Sequence, residues 1–140
     1  MQLDATSYNA LLPKTADLLR KCSRLDLFAN YTLVGGSGLA LYLSHRLSED
    51  LDFFTWEKTI DKALILQILQ ENFTDITLIT DTNNQQDWIV EGVKLTFCAK
   101  NCELLRERTL LENNIYVASL ELITATKVST LFIRAKYRDY

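Results

Sequence analysis

The sequence predicts an α/β chain of the α+β kind, a mixed β-sheet flanked by helices. Three features predict it. Residues 31–55 run strand, helix, strand; residues 88–98 form an apolar hairpin pattern; helical runs stand before, between and after them. Strands that alternate irregularly with helices, with a hairpin among them, fit a mixed sheet covered by helices.

Residues 4–12 read as a short helix and 14–28 as a longer one. Pro13, the only proline, separates or kinks them. Tyr31, Thr32, Leu33 and Val34 read as a buried strand. Gly35 and Gly36 end it, and Ser37 stands as the N-cap of a helix over 37–46. A strand over 50–55 follows. Thr59 caps an apolar helix reaching residue 72. Residues 76–80 alternate as a strand, and 81–86 form a polar loop. Residues 88–90 and 93–98 pair about Glu91-Gly92. Residues 114–117 make a short strand, and Ser119 caps a final helix from Leu120 to about Arg138. The expected organisation is one domain over 1–140: N-terminal helices 4–28, a core over 31–98 and a C-terminal helix over 120–138.

Composition narrows the class. A chain of 140 residues supports one real core. Its 48% hydrophobic and 24% charged content is that of a globular protein. The net charge of −3 argues against a broad nucleic-acid surface, so any RNA contact needs a local basic strip or a partner. Met1-Gln2-Leu3-Asp4 opens without the basic and apolar stretches of a leader, and no apolar run is long enough to span a membrane. The three cysteines have no paired spacing and read as reduced thiols, which predicts a cytoplasmic protein. Cys98 and Cys102 with the lone, distant His45 do not make a zinc set.

The chemistry concentrates in residues 33–54. A helix N-terminus offers free N–H groups and partial positive charge to phosphate, and glycine lets a ligand approach the backbone. Gly35, Gly36 and Ser37 are therefore candidate phosphate contacts. Asp50 and Asp52, two apart on a strand, point to the same side, while Leu51 and Phe53 point to the core. Like charges so placed repel, and a hard divalent cation removes the conflict. Mg²⁺ or Mn²⁺ is the expected ion. On the final helix Lys127, Arg134 and Arg138 fall within about 40° of one another, against the body of the protein. They fit either neutralisation of a triphosphate or salt bridges to nearby acids. Lys136 falls on the other side. His45 and Arg46 suit a helix C-terminus and bracing of the loop that carries Ser48 and Asp50; a base role for His45 is the alternative.

Gly35-Gly36-Ser37, then His45-Arg46, Ser48 and Asp50-Leu51-Asp52-Phe53-Phe54, resemble the AbiEii/AbiGii toxin family of the nucleotidyltransferase superfamily. Leu11-Leu12-Pro13 resembles that family's lead-in. Lys127 and Arg138-Asp139-Tyr140 are similar to its later motifs. The resemblance implies a nucleotidyltransferase-like sheet and a metal-dependent enzyme that moves an NMP from a nucleoside triphosphate to a hydroxyl. It implies a toxin with an antitoxin partner, with RNA (tRNA among the targets) or protein as acceptor. By the same resemblance Asp50, Asp52 and Lys127 are catalytic, with Asp50 and Asp52 on the metal. A membrane partner is not expected, and an oligomer is open.

Two departures keep a second class in view. Related folds use a third carboxylate on a later strand, matched here by residues 93–98. Thr96 stands where the acid belongs, and Glu91 sits at the turn. The family also continues past its Arg-Asp-Tyr motif, where this sequence stops. A non-catalytic or truncated module that binds a nucleotide or a partner is therefore the alternative.

Overall fold

The computed structural model describes residues 3, 5–43 and 49–125. Its strands are β1 (Thr32–Val34), β2 (Leu51–Thr55), β3 (Ile76–Asp81), β4 (Gln85–Val90), β5 (Val93–Ala99), β6 (Arg108–Glu112) and β7 (Ile115–Ala118). They form a seven-stranded sheet in the order β3-β4-β5-β2-β1-β7-β6. The sheet is mixed, as the sequence predicts. β1 runs antiparallel to β2, while β1 with β7 and β2 with β5 are parallel. The helices are α1 (Pro13–Ser23), α2 (Gly35–Leu43) and α3 (Lys62–Asn72).

Strand alternation sorts the sheet into two faces. Leu33, Leu51, Phe53, Leu95 and Phe97 lie on one and are fully buried. Phe28, from the 3₁₀ turn Asp26–Asn30, packs on that face, 5.0 Å from the Phe53 ring and 5.7 Å from Phe97. Such aromatic pairs each add about 0.5–1.5 kcal/mol beyond area burial. Trp88, buried on the same side, donates to Gln86 Oε1 at 3.2 Å. A buried amide keeps its place only when bonded in this way.

Several boundaries differ from expectation for local reasons. Pro13 begins α1 instead of separating two helices, because the first turn needs no N–H there. Before it lies a 3₁₀ turn, Ala5–Ala10, and α1 stops at Ser23. α2 begins at Gly35, so Ser37 sits inside its first turn and is not the N-cap. Asp61, not Thr59, caps α3 by accepting from the Leu64 N–H at 3.1 Å. β4 takes in Gln85 and Gln86 from the expected loop, together with Asp87; pairing with β5, and with β3 from Gln86 onward, overrides their weak strand preference. β6 runs through a stretch that reads as solvated surface, since an edge strand half in water carries little apolar signal. The hairpin about Glu91-Gly92 is present, with φ of 49° and 79°, the pair of positive values that a tight two-residue turn requires. The Ser119 cap is present as well: its Oγ accepts from Leu122 N–H at 3.1 Å, and residues 120–125 are helical. No helix among the described residues is long and apolar enough to cross a membrane.

Candidate active site

The sheet register builds the site. Asp52 on β2 stands opposite Val34 on β1 and Thr96 on β5; Thr96 stands opposite Asp87 on β4, and Asp87 opposite Thr80 on β3. Paired residues share a face, so Val34, Asp52, Thr96, Asp87 and Thr80 form one row on the side away from Phe53 and Phe97. Asp50, two residues before Asp52, is exposed just ahead of β2.

Three local devices hold the row. The first is Gly35, which has φ +69°, and a Cβ there would run into Asp52 Oδ2. The glycine thus makes room for the carboxylate at the head of α2. The second is Ser37, buried, whose hydroxyl donates to the backbone oxygen of Asp50. The third is Thr15 on α1, whose Oγ1 donates to Glu49 O at 2.8 Å. The two hydroxyls fix the backbone that carries the aspartates.

The carboxylates are tuned differently. Burial, and after it the charge of Asp50, push the Asp52 carboxyl above the usual range; Lys94 and the Thr96 hydroxyl pull the other way. Burial also acts upward on Asp87. Hydrogen bonds from Thr96 Oγ1 at 2.7 Å and Gln85 Nε2 at 3.0 Å, with the charge of Lys94, outweigh it and hold Asp87 below the usual range. Lys94 lies two residues before Thr96 and so on the same face. Glu91 is remote from this face: it pairs with Lys21 of α1, Nζ to Oε1 at 2.7 Å. Its candidacy as a replacement acid fails for that reason.

The geometry brings Gly35, Gly36, Asp50 and Asp52 to one place, with Ser37 behind them as a backbone tether. His45, Arg46, Ser48, Lys127, Arg134 and Arg138 lie outside the described residues. Sequence reasoning passed over Asp87, Lys94 and Thr15. Asp87 was within reach: Val90 pairs Val93 across the two-residue turn, and counting outward pairs Asp87 with Thr96.

The chain matches the family described as "Nucleotidyl transferase AbiEii toxin, Type IV TA system" over residues 17–140. It belongs to the AbiEii nucleotidyl transferase toxin family. Among curated relatives, it is 25% identical over 128 residues to "Uncharacterized protein aq_aa25" of Aquifex aeolicus, covering 89% of this chain and 61% of that protein. Among solved structures, it is similar to a "putative nucleotidyltransferase" from H. pylori, with a TM-score of 0.61 and 21% identity over 83% of this chain and 58% of the other. It is also similar to JHP933 from Helicobacter pylori, with a TM-score of 0.60 and 22% identity over 90% and 57%. The AbiEii chain described here therefore has the nucleotidyltransferase fold and spans about three-fifths of the length of these relatives.

The residues fit a divalent ion. Asp50 and Asp52 are two oxygen donors on one side, and a cation between them would stabilise the charge of an Asp52 carboxyl that burial first, and Asp50 second, disfavour. Among the described residues no group of three or more His, Cys, Asp and Glu forms a complete cage. A two-carboxylate site suits Mg²⁺, which keeps waters and takes further oxygens from substrate phosphates.

Proposed function

We propose that this chain is a metal-dependent nucleotidyltransferase that moves an NMP from a nucleoside triphosphate to a hydroxyl of RNA or protein. In this reading it is the toxin of a toxin–antitoxin pair and acts in the cytoplasm. tRNA is the RNA acceptor that the family likeness favours. The observation that carries the reading is the fit of Asp52 against Gly35 at the head of α2, with Asp50 beside it. Triphosphate oxygens then meet the free N–H groups of Gly35 and Gly36 within reach of both carboxylates. Asp50 and Asp52 would hold Mg²⁺ or Mn²⁺, which when bound offsets charge on the attacked and leaving oxygens. Ser37 serves by anchoring Asp50, while Lys127, with Arg134 and Arg138, is assigned to the triphosphate charge. The acceptor oxygen attacks the α-phosphorus, the bond to the bridging α–β oxygen breaks, and pyrophosphate leaves.

Thr96 in place of an acid favours a second reading, a nucleotide- or partner-binding module without transfer. One experiment separates the two. Purified protein is given each α-labelled NTP, Mg²⁺ or Mn²⁺, and total tRNA, beside Asp52→Asn. Label on RNA or on protein that vanishes in the variant supports the enzyme. Stabilisation by nucleotide and metal without transfer supports the module.

A further inference from the structure

Asp87 is 8% exposed and Thr96 5%, and neither has a role in the chemistry above. A buried carboxylate on a sheet face is costly unless it is bonded or used. Asp87 has no cation in salt-bridge contact among the described residues; its Oδ1 takes a hydroxyl proton from Thr96 and an amide proton from Gln85. Thr96 is also the register partner of Asp52 across β2 and β5. Asp52, Thr96 and Asp87 thus stand in line across three neighbouring strands, with the Thr96 hydroxyl bonded to Asp87. Asp52 is the partly exposed member of the three, and Thr96 stands beside it on β5. Two strand spacings, about 9–10 Å between backbones, keep Asp87 off an ion held by Asp50 and Asp52.

We propose that Asp87 acts as the third carboxylate of this site, working from β4 through the Thr96 hydroxyl on the acceptor side of Asp52. The inference rests on the transferase reading. In the transfer step the acceptor hydroxyl gives its proton to Thr96 Oγ1 as Thr96 gives its own to Asp87 Oδ1. The acceptor oxygen bonds to the α-phosphorus, and pyrophosphate departs with the electron pair of the broken bond. Asp87 ends protonated and is restored by exchange with water. Thr96 touches the acceptor; Asp87 is a positioning residue that acts through it.

The test uses the full chain in the label-transfer assay, with Asp87→Asn, Thr96→Ser, Thr96→Val and the double variant Asp87→Asn/Thr96→Asp. Each variant is first checked for folding by its melting transition. Asp87→Asn is expected to lower kcat about 100-fold, with KM for the NTP within about threefold of wild type. Its stabilisation by NTP and Mg²⁺ remains, whereas Asp52→Asn loses it. Thr96→Ser keeps most activity and Thr96→Val does not. The double variant puts the acid directly on β5 and regains at least about tenfold over Asp87→Asn, a rescue that a merely structural Asp87 would not give. Asp87→Asn near wild-type rate, or Thr96→Val as active as Thr96→Ser, overturns the proposal. A folded double variant without rescue also overturns it. A wild type that transfers nothing overturns the transferase reading itself, and the proposal with it; the wild-type lane tells the two failures apart.

Discussion

Asp52 shows how one side chain is shaped by a sheet. Its carboxyl is raised in the folded protein by burial and by Asp50. A carboxyl so raised binds its proton more tightly folded than unfolded, where its value is about 3.9. Stability of the metal-free protein therefore falls as pH climbs from that value through the folded one. Asp52→Asn removes this loss, so its melting temperature relative to wild type is expected to rise between about pH 4 and pH 7. Scanning calorimetry across that range, in chelator, checks it; a flat difference contradicts it. In the proposed transferase the same substitution is expected to abolish label transfer. Gly35 makes the converse prediction. Its φ of +69° and the place of Asp52 Oδ2 leave no room for a Cβ. Gly35→Ala is expected to cost about 1–3 kcal/mol in chemical denaturation and to abolish stabilisation by nucleotide and Mg²⁺. The pairing of a diglycine with two later aspartates was legible in the sequence. That the glycine serves the aspartate was not, because the close approach exists only once β1 lies against β2.

The elements were legible where pattern and propensity agreed. β1, β2, β5 and the Glu91-Gly92 turn stand close to their expected places, because buried strands and positive-φ turns carry strong local signals. β4 and β6 were read poorly. Gln86 and Asp87 are strand because β3 and β5 pair with them, and Gln85 because β5 does; no local pattern marks Asp87 as part of a sheet face. The 3₁₀ turn Asp26–Asn30 was absorbed into a longer helix, though it delivers Phe28 to the sheet. Phe28 is fully buried against Phe53 and Phe97, so Phe28→Ala is expected to destabilise by about 3–5 kcal/mol in urea melts. A loss under about 1 kcal/mol would mean that the turn is not a packing element. The ion pair of Lys21 with Glu91 ties α1 to the hairpin, but both side chains are partly exposed. Lys21→Ala is accordingly a mild change, of at most about 1 kcal/mol.

At the scale of the molecule, the sheet has a firm centre and two soft edges. β1, β2 and β5 lie inside the strand order with Leu33, Phe53 and Phe97 fully buried, whereas Ile79 on β3 and Leu110 on β6 are half exposed. Hydrogen exchange is expected to be slowest at Leu33, Phe53 and Phe97 and faster by orders of magnitude at Ile79 and Leu110. Equal protection would show that the edges are covered in solution, as an oligomer or a bound partner would cover them. The site sits on the firm centre, where a carboxylate can be held to a fixed position. By itself the sequence determined the fold class and the family and singled out Asp50 and Asp52 as candidates, because strand alternation, glycine turns and short motifs are local properties of a chain. The tertiary structure alone decided which residues meet across strands: Asp52 against Gly35, Thr96 between Asp52 and Asp87, Glu91 turned to Lys21. Register sets those meetings, and register is a property of pairs of strands that neither strand carries alone.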